Sequence, residues 1–283
     1  MAAQPLLFTV AFRRKMAELS QADRLEWLAS LAARARGLAL LRPRSGEADG
    51  TSAEGGVDVP SDPLLVQELR EVARGCRLPL VDAIERQLGP FSPLHLCALL
   101  EVPRERFVRS QDVERSAEDT PLPLDDEGLS TISAPHAYLL SYRLLELAPG
   151  DSLVELGTGS GYGAALASVV VGPRGQVVTV EIDARLASWS KRTLADCTNV
   201  TPVFGDAVTS APCWGNATKV AVAFAVDDLP TAWLDAIPEG GSLVAPVGEG
   251  EKDQRLVLVK RDRGRLTQTQ HGLVRYVKNR STR

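Results

Sequence analysis

Short apolar runs alternate with a helix-like stretch through the second half of the chain. Strands are predicted over Asp151–Glu155, Gln176–Ile182 and Val200–Asp206, because each run is largely apolar and has the length of a buried strand. Between the first two runs, residues Tyr162–Val171 are rich in Ala and Leu and predict a helix. This succession predicts an α/β fold with a doubly wound, mostly parallel sheet.

The first 90 residues follow a different pattern. A capping box at Ser20–Asp23 opens a predicted amphipathic helix. Residues Pro43–Pro60 are rich in Gly, Ser, Glu and Asp and predict a flexible linker, and Pro63–Leu88 predicts a further helical segment. We therefore predict an N-terminal helical extension with its linker over residues 1–60 and a catalytic domain over residues 61–283. The extension either packs on that domain or recognises a dedicated peptide substrate.

Three glycines at alternate positions follow the first predicted strand, where a nucleotide-cofactor turn is expected. A dinucleotide-binding turn, G-x-G-x-x-G, would place its third glycine at position 162, but that residue is Tyr162. The pattern G-x-G-x-G favours S-adenosyl-L-methionine over NAD, and a glycine turn that binds nothing is the remaining alternative. The residues of this motif that we predict to bind the cofactor are Glu155, Gly157, Thr158, Gly159, Ser160 and Gly161.

Acidic residues end the next two predicted strands. Glu181 lies 20 positions after Gly161, which is close to the spacing at which an acid bonds the ribose hydroxyls of a cofactor. Asp206 follows the third strand, where its carboxylate could accept a hydrogen bond from an adenine amino group. A lone Gly-Asp pair usually marks only a turn. We predict Asp206 as a cofactor contact because two matching strands precede it.

The segments around this motif resemble protein-L-isoaspartate O-methyltransferases. The resemblance runs from about Leu96 to Lys278 and joins V-P-R-E-R-F-V and T-I-S-x-P to the G-T-G-S-G-Y of the glycine turn. It rests on Val102–Val108, Pro121–Leu124, Thr131–Pro135, Leu144–Gly150, Glu239–Gly248 and Val274–Val277.

The resemblance implies a seven-stranded, Rossmann-like methyltransferase sheet that closes with an antiparallel hairpin. It also implies methyl transfer from S-adenosyl-L-methionine to the α-carboxylate of L-isoaspartyl residues in damaged proteins or peptides. Ser133 matches the family's serine beside the substrate carboxylate, and Thr131 and Pro135 would shape the loop that closes over the cofactor. Arg275, in a predicted short terminal strand, matches an arginine near the cleft and is either a substrate contact or a surface ion pair.

Two segments depart from the family's pattern. Phe224, Val226 and the pair Asp227–Asp228 stand where the family usually has small neutral residues, and Asp125–Ser130 adds three more acids before the T-I-S segment. Extra carboxylates would repel an acidic substrate unless they face solvent or meet a basic partner. The departures leave open a dedicated peptide-tailoring methyltransferase, a cofactor-binding protein without transfer activity and, most distantly, an oxidoreductase.

Composition and residue spacing limit the classes of partner and ligand that the chain is expected to bind. The net charge of −4 gives no field that would recruit nucleic acid or an anionic membrane, and no apolar stretch approaches the length of a membrane span. The four cysteines form no C-x-x-C pair, and the three histidines have no metal-ligand spacing, so we predict neither disulfides nor a metal site. His136 is expected to have a capping or surface role. We expect a cytoplasmic enzyme, with a monomer favoured.

Overall fold

The computed structural model describes residue 77 and residues 79–209, 214–249 and 253–280. Contacts divide the chain into two compact units, Met1–Pro79 and Leu80–Arg283, and the fold described below belongs to the second. The predicted helix after Ser20 and the linker Pro43–Pro60 lie outside the described residues. The domain boundary at residue 60 therefore stays a prediction.

Helices and strands alternate along the second unit. The helices are α1 (residues 79–88), α2 (Pro93–Glu101), α3 (Pro135–Leu145), α4 (Tyr162–Val171), α5 (Ala184–Thr193) and α6 (Thr231–Ala236). Strands β1 (Leu122–Pro123) and β2 (Thr131–Ile132) form a small antiparallel pair. The main sheet contains β3 (Ser152–Leu156), β4 (Gln176–Glu181), β5 (Val200–Phe204), β6 (Lys219–Val222), β7 (Ser242–Val247), β8 (Arg255–Asp262) and β9 (Arg265–Leu273). Short 3₁₀ segments cover Arg104–Arg106, Ser110–Ala117 and Ala207–Thr209.

The main sheet has seven strands in the order β5-β4-β3-β6-β7-β8-β9. Strands β3 to β7 pair in parallel, whereas β8 is antiparallel to β7 and β9 is antiparallel to β8. The predicted doubly wound sheet and its closing antiparallel hairpin are thus confirmed. The chain reverses its direction of winding between β3 and β6, and a sheet of this kind binds ligands at the carboxyl ends of the strands beside such a switch point.

Both faces of the sheet are covered. Alternating side chains of β3 point to opposite faces: Leu153 packs in one core with Leu139 of α3 and Leu166 of α4, while Val154 packs in the other core with Trp233 of α6. All five side chains are at most 1% exposed. A strand buried on both faces explains why the sequence shows a continuous apolar run in place of alternation.

Local sequence sets the ends of the helices that flank the glycine turn. Helix α3 begins at Pro135, whose missing N–H costs nothing in a first turn. Helix α4 runs between Gly161 and Gly172, which both have positive φ (95° and 66°). Helix α5 is capped by Asp183, whose carboxylate accepts hydrogen bonds from the N–H groups of two first-turn residues. The predicted helix Tyr162–Val171 is confirmed over its full length.

The structure corrects the predicted strand ends. The second and third strands end at Glu181 and Phe204, so Asp206 lies in the following turn. The predicted short terminal strand containing Arg275 is wrong, because residues 274–277 belong to no strand. The Val274 N–H donates to the Gln254 carbonyl at 2.9 Å, and Lys278 forms an isolated parallel bridge with Ala225. The Gln254 amide donates to the Tyr276 carbonyl at 3.0 Å and accepts from the Tyr276 N–H at 2.7 Å. Within the described ranges, no helix is long and apolar enough to cross a membrane.

Candidate functional site

A cavity of about 530 Å³, counting the open space at its mouth, lies at the carboxyl ends of β3, β4 and β6. This is the position that the switch point between β3 and β6 predicts for a ligand. The cavity is lined by the loop after β3, the end of β4, the residues after β6, the segment Leu129–Thr131 and the C-terminal segment Val277–Arg280.

The glycine turn forms the floor of this cavity through Gly157 and Gly159. The N–H groups of Gly157 and Thr158 donate to the Val180 carbonyl at 2.9 and 3.2 Å, which holds the turn against β4. Gly157 has φ 94°, and a Cβ there would lie 2.9 Å from the ring of Phe224. The turn therefore needs glycine at this position because φ is positive and because the Phe224 ring leaves no room for a Cβ.

Glu181 presents a carboxylate to the cavity at the end of β4. Its two oxygens accept hydrogen bonds from the N–H of Gly159 at 2.7 Å and the N–H of Asp183 at 3.0 Å. Burial raises the pKa of Glu181, and these two backbone hydrogen bonds oppose the rise. A carboxylate held at this depth, with lone pairs still facing the cavity, is suited to accept hydrogen bonds from the two hydroxyls of a ribose.

Glu155 lies beneath the glycine turn and does not line the cavity. It ends a chain of hydroxyl contacts: Thr158 Oγ1 lies 2.7 Å from Thr179 Oγ1, which donates to Glu155 Oε2 at 2.8 Å. Burial raises the pKa of Glu155 to about 8, against the hydrogen bond from Thr179. A Cβ on Gly163 would overlap Glu155 Oε1 at 1.8 Å, so the carboxyl fills the space that this glycine leaves.

Apolar side chains form the walls on either side of Glu181. The cavity contacts Ile182, Leu186, Ala207 and Phe224. These side chains provide the flat apolar surfaces between which an adenine ring can lie. Asp206 precedes Ala207 and does not line the cavity itself; its Oδ1 accepts a hydrogen bond from the Val208 N–H at 2.9 Å.

Ser133 lies on the loop between β2 and α3, two residues after cavity-lining Thr131. Its N–H donates to the Tyr138 hydroxyl at 3.2 Å, and its carbonyl accepts from Arg104 Nη2 at 3.1 Å. Arg104, from the V-P-R-E-R-F-V segment, is 1% exposed and also donates to the carbonyls of Ser116, Glu118 and Thr120 at 2.7 to 3.2 Å. Sequence reasoning gave this arginine no role, because the motif also contains Glu105 and Arg106 and no pattern in it distinguishes the buried charge from the more exposed ones.

His136 pairs with Asp119 at the start of α3. The Asp119 carboxylate accepts from the His136 backbone N–H at 3.0 Å and lies 2.9 Å from its Nδ1. Burial alone would raise the pKa of Asp119, but the hydrogen bonds from His136 outweigh it and leave that pKa below its usual value. Asp119 therefore caps the first turn of the helix, whereas His136 supplies the N–H that is capped and does not itself act as the cap. The described residues contain no group of three or more His, Cys, Asp or Glu side chains that could hold a metal ion.

The C-terminal segment Val277–Arg280 forms the wall that sequence reasoning missed. Arg280 donates to Asp183 Oδ2 and to Asp125 Oδ2, both at 2.9 Å, and to the Ser130 hydroxyl. Lys278 pairs with Asp227. The available signal was the alternation of basic residues just after the family-like V-R-Y-V.

The structure brings four of the predicted site residues to the cavity: Thr131, Gly157, Gly159 and Glu181. The other predicted residues lie behind or beside its lining, and they are Ser133, Pro135, Glu155, Thr158, Ser160, Gly161, Asp206 and Arg275. Arg275 is exposed. Ser160 is 2% exposed, and its hydroxyl has no hydrogen-bond partner in the described part of the chain.

The acids that depart from the family's pattern have basic partners or face solvent. Asp125 pairs with Arg280, Asp126 pairs with Arg109 at 2.9 Å, and Asp227 pairs with Lys278. Glu127 and Asp228 are exposed. The condition under which these carboxylates would not repel an acidic substrate is therefore met for each of the five.

The sequence and the structure both match known proteins. Residues 86–283 match the family model of protein-L-isoaspartate(D-aspartate) O-methyltransferases, so the family-like region extends beyond the expected 96–278 at both ends. The chain is 36% identical over 185 residues to protein-L-isoaspartate O-methyltransferase of Methanosarcina mazei, covering 64% of this chain and 74% of that one. It is 37% identical over 182 residues to protein-L-isoaspartate O-methyltransferase 1 of Archaeoglobus fulgidus, covering 64% of this chain and 82% of that one.

Two solved structures share the fold. One, a protein-L-isoaspartate O-methyltransferase, superposes with a TM-score of 0.65 at 29% identity, covering 71% of this chain and 65% of that one. The other is the Plasmodium falciparum protein-L-isoaspartate O-methyltransferase β-aspartate methyltransferase in complex with S-adenosyl-L-homocysteine. It superposes with a TM-score of 0.63 at 21% identity, covering 71% of this chain and 97% of that one, and supports the fold alone.

Proposed function

The chain belongs to the protein-L-isoaspartate(D-aspartate) O-methyltransferase family, and from that premise we infer that it is an S-adenosyl-L-methionine-dependent carboxyl O-methyltransferase acting on L-isoaspartyl residues of proteins or peptides. The observation that carries this function is the meeting, at one cavity, of two family segments and the acid that was predicted from its spacing. The glycine turn, the acid that ends β4 and the loop of the T-I-S segment all contribute to its lining.

The residues present suit the cofactor. Glu181 offers carboxylate oxygens where ribose hydroxyls would lie, and Ile182, Leu186 and Phe224 offer apolar walls. We propose that Gly157, Gly159 and Glu181 contact the cofactor directly, while Glu155, Thr158, Ser160 and Gly161 shape the turn beneath it. Asp206 is proposed to contact the adenine amino group from the rim. When bound, S-adenosyl-L-methionine supplies an electrophilic methyl group on a sulfonium.

Catalysis by this chain rests on positioning. The substrate carboxylate has an ordinary pKa of about 4, so it is already ionised near neutral pH and needs no general base. We propose that Ser133 hydrogen-bonds this carboxylate and fixes its direction of approach, while Thr131, Pro135 and Arg275 shape the substrate side of the cleft. The segments Leu129–Thr131 and Val277–Arg280 flank the cavity and would exclude water from it.

The biological consequence that we propose is protein repair. The methyl ester of an isoaspartyl residue collapses to a succinimide that reopens partly to normal aspartate. The acids that suggested a dedicated peptide-tailoring enzyme are paired or exposed, so nothing in the part of the chain that the structure describes favours that alternative over repair.

Incubation with methyl-labelled S-adenosyl-L-methionine and an isoaspartyl peptide tests this function. We predict base-labile label on the peptide and its decay to a succinimide. Ser133→Ala should lower kcat about 10- to 100-fold, the size expected for one lost positioning hydrogen bond, and leave cofactor affinity within about twofold. Ser188→Ala, on the exposed face of α5, is the matched control and should keep wild-type kcat. An unlabelled peptide with cofactor still bound would refute the transferase.

We further propose a cytoplasmic monomer that acts on protein or peptide substrates and has no nucleic-acid or membrane partner. The net charge of −4 supports the absence of nucleic acid, and the free thiols of Cys97 and Cys197 fit a reducing compartment. Light scattering during size-exclusion chromatography tests the monomer, and a mass of twice 30.4 kDa would contradict it.

A further inference from the structure

Three carboxylates, from two separate parts of the chain, lie around one guanidinium beside the cavity. Asp125 lies after β1, Glu181 ends β4, and Asp183 caps α5. Arg280 is separated from Asp125 by 155 positions and from Asp183 by 97, and it donates to each at 2.9 Å. The same guanidinium also donates to the Ser130 hydroxyl, and its positive charge acts on Glu181.

These contacts are shielded from water. The side chains of Asp125, Asp183 and Arg280 are 5%, 14% and 22% exposed. Charge-assisted hydrogen bonds with this shielding hold their geometry far better than surface ion pairs do. Arg185 also approaches Asp183, at 3.7 Å, but it is 75% exposed and does not line the cavity. Arg185 is therefore a poor substitute for Arg280.

The partners of Arg280 come from two sides of the cavity: Asp125 and Ser130 from the segment between β1 and β2, and Asp183 from the residues after β4. Ser130 lines it directly, next to Thr131. Asp183 donates its backbone N–H to Glu181 Oε1 at 3.0 Å, so its position governs the acid proposed to hold the ribose. Arg280 itself lines the cavity from the C-terminal segment. The Arg280 guanidinium thus links the segment Leu129–Thr131, the end of β4 and the C-terminal segment Val277–Arg280.

We propose that Arg280 is a positioning residue for the cofactor, whose guanidinium fastens the C-terminal segment across the cavity and thereby slows cofactor release. This inference rests on the proposed function only in taking the cavity as the S-adenosyl-L-methionine site. It also assigns Asp125 a role: this acid of the departing Asp125–Ser130 segment is the counter-charge that receives the C-terminal segment.

Two substitutions at Arg280 distinguish the effect of its positive charge from the effect of its guanidinium geometry. In Arg280→Met, Asp125 and Asp183 lose their shared cation and repel each other, so the walls separate. In Arg280→Lys the charge remains, but one ammonium lacks the two-sided donor geometry of a guanidinium. We therefore expect the cofactor affinity and dissociation rate of Arg280→Lys to lie between those of the wild type and Arg280→Met. The matched control is Arg185→Met, which removes a cation from the same Asp183 without touching the cavity wall.

The experiment measures the affinity and dissociation rate of S-adenosyl-L-homocysteine for the four full-length proteins, by calorimetry and stopped-flow tryptophan fluorescence. We predict that Arg280→Met weakens affinity about tenfold, mostly through faster dissociation, as loss of a shielded two-carboxylate contact should. Arg185→Met should stay within about twofold of wild type, as an exposed pair should. At saturating S-adenosyl-L-methionine, the KM for an isoaspartyl peptide should not change in Arg280→Met.

The outcomes separate this inference from the proposed function. Wild-type affinity and dissociation rate in Arg280→Met would overturn the inference even if methyl transfer is found. Weakened cofactor binding in Arg280→Met, with no transfer to any isoaspartyl peptide by the wild type, would support the inference and refute the function. A lowered thermal midpoint with unchanged cofactor kinetics would show that Arg280 serves stability alone, and this too overturns the inference. If Arg280→Met fails to fold, Asp125→Asn, which keeps the cation, should show the same faster release, and a wild-type rate in that variant overturns it.

Discussion

Glu155 and Glu181, on the neighbouring strands β3 and β4, lie in different environments. Glu181 faces the cavity with backbone N–H groups on both oxygens, whereas Glu155 is enclosed beneath the glycine turn. Burial raises the pKa of both groups, and that of Glu155 reaches about 8. The difference in surroundings suits Glu181 to bind a ligand and Glu155 to support the turn in its protonated form.

Glu155 makes stability depend on pH in a defined direction. Its pKa rises from the ordinary 4.5 to about 8 in the folded protein. Below pH 4.5 both states are protonated and its contribution is fully present; as pH rises towards 8 the unfolded chain ionises while the folded one does not. The free energy of unfolding should therefore fall by about 1.4 kcal/mol per pH unit across this window through this residue.

Urea unfolding between pH 5 and 8.5 checks this. In Glu155→Gln the fall in stability with pH should be absent or much smaller, so that the variant gains on the wild type as pH rises. The exposed Glu114→Gln is the matched control and should keep the wild-type slope. Parallel stability curves for wild type and Glu155→Gln would show that Glu155 is ionised in the folded protein.

At the scale of elements, the Ser133 loop is held from below by a buried cation. Arg104 binds four backbone carbonyls, three of which belong to the chain from Ser116 to Thr120 and one to Ser133. Burial lowers the pKa of Arg104, against the attraction of nearby Tyr162, Tyr138, Asp119 and Glu118. The guanidinium thus ties the 3₁₀ segment Ser110–Ala117 and its exit to the loop that enters α3.

Arg104→Met should cost about 3 kcal/mol of stability, since it leaves carbonyls buried without their donor. We also expect kcat for methyl transfer to fall at least about tenfold while cofactor affinity changes little, because Arg104 contacts the Ser133 loop and not the cavity lining. Urea unfolding and steady-state kinetics measure the two effects.

The matched control is Arg106→Met, in the same 3₁₀ turn, whose arginine pairs with the largely exposed Asp196 at 3.3 Å. It should lose less than about 1 kcal/mol and keep its kcat. If Arg104→Met folds and turns over like this control, the loop does not need the buried cation. Arg104→Lys keeps a positive charge and should recover part of the lost kcat.

At the scale of the whole molecule, the elements predicted correctly are those whose structure depends on residues close together in the chain. The apolar runs and the glycine turn predicted β3, α4 and β4, because a strand buried on both faces and a positive-φ turn each leave a continuous signal in sequence. The position of Glu181 at the cavity also followed from spacing along one β-α-β unit.

Long-range pairing was not predictable in the same way. Asp125 and Arg280 are 155 positions apart, and each reads alone as a surface charge. The segment after β9 was wrongly predicted as a strand, because its hydrogen bonds are divided among different partners. Val274 and Tyr276 bond the backbone and the side chain of Gln254, whereas Val277 and Asn279 bond the backbone of Ala225. Both errors concern contacts between distant segments, for which one sequence carries no pattern of its own.

The most direct test of the central claim is methyl transfer from labelled S-adenosyl-L-methionine to two matched peptides that differ only in containing L-aspartyl or L-isoaspartyl. The family membership and the geometry of the cavity predict label on the isoaspartyl peptide and little or none on its aspartyl partner. Equal labelling of both peptides, or label on neither while the cofactor binds, would contradict an isoaspartyl-specific methyltransferase.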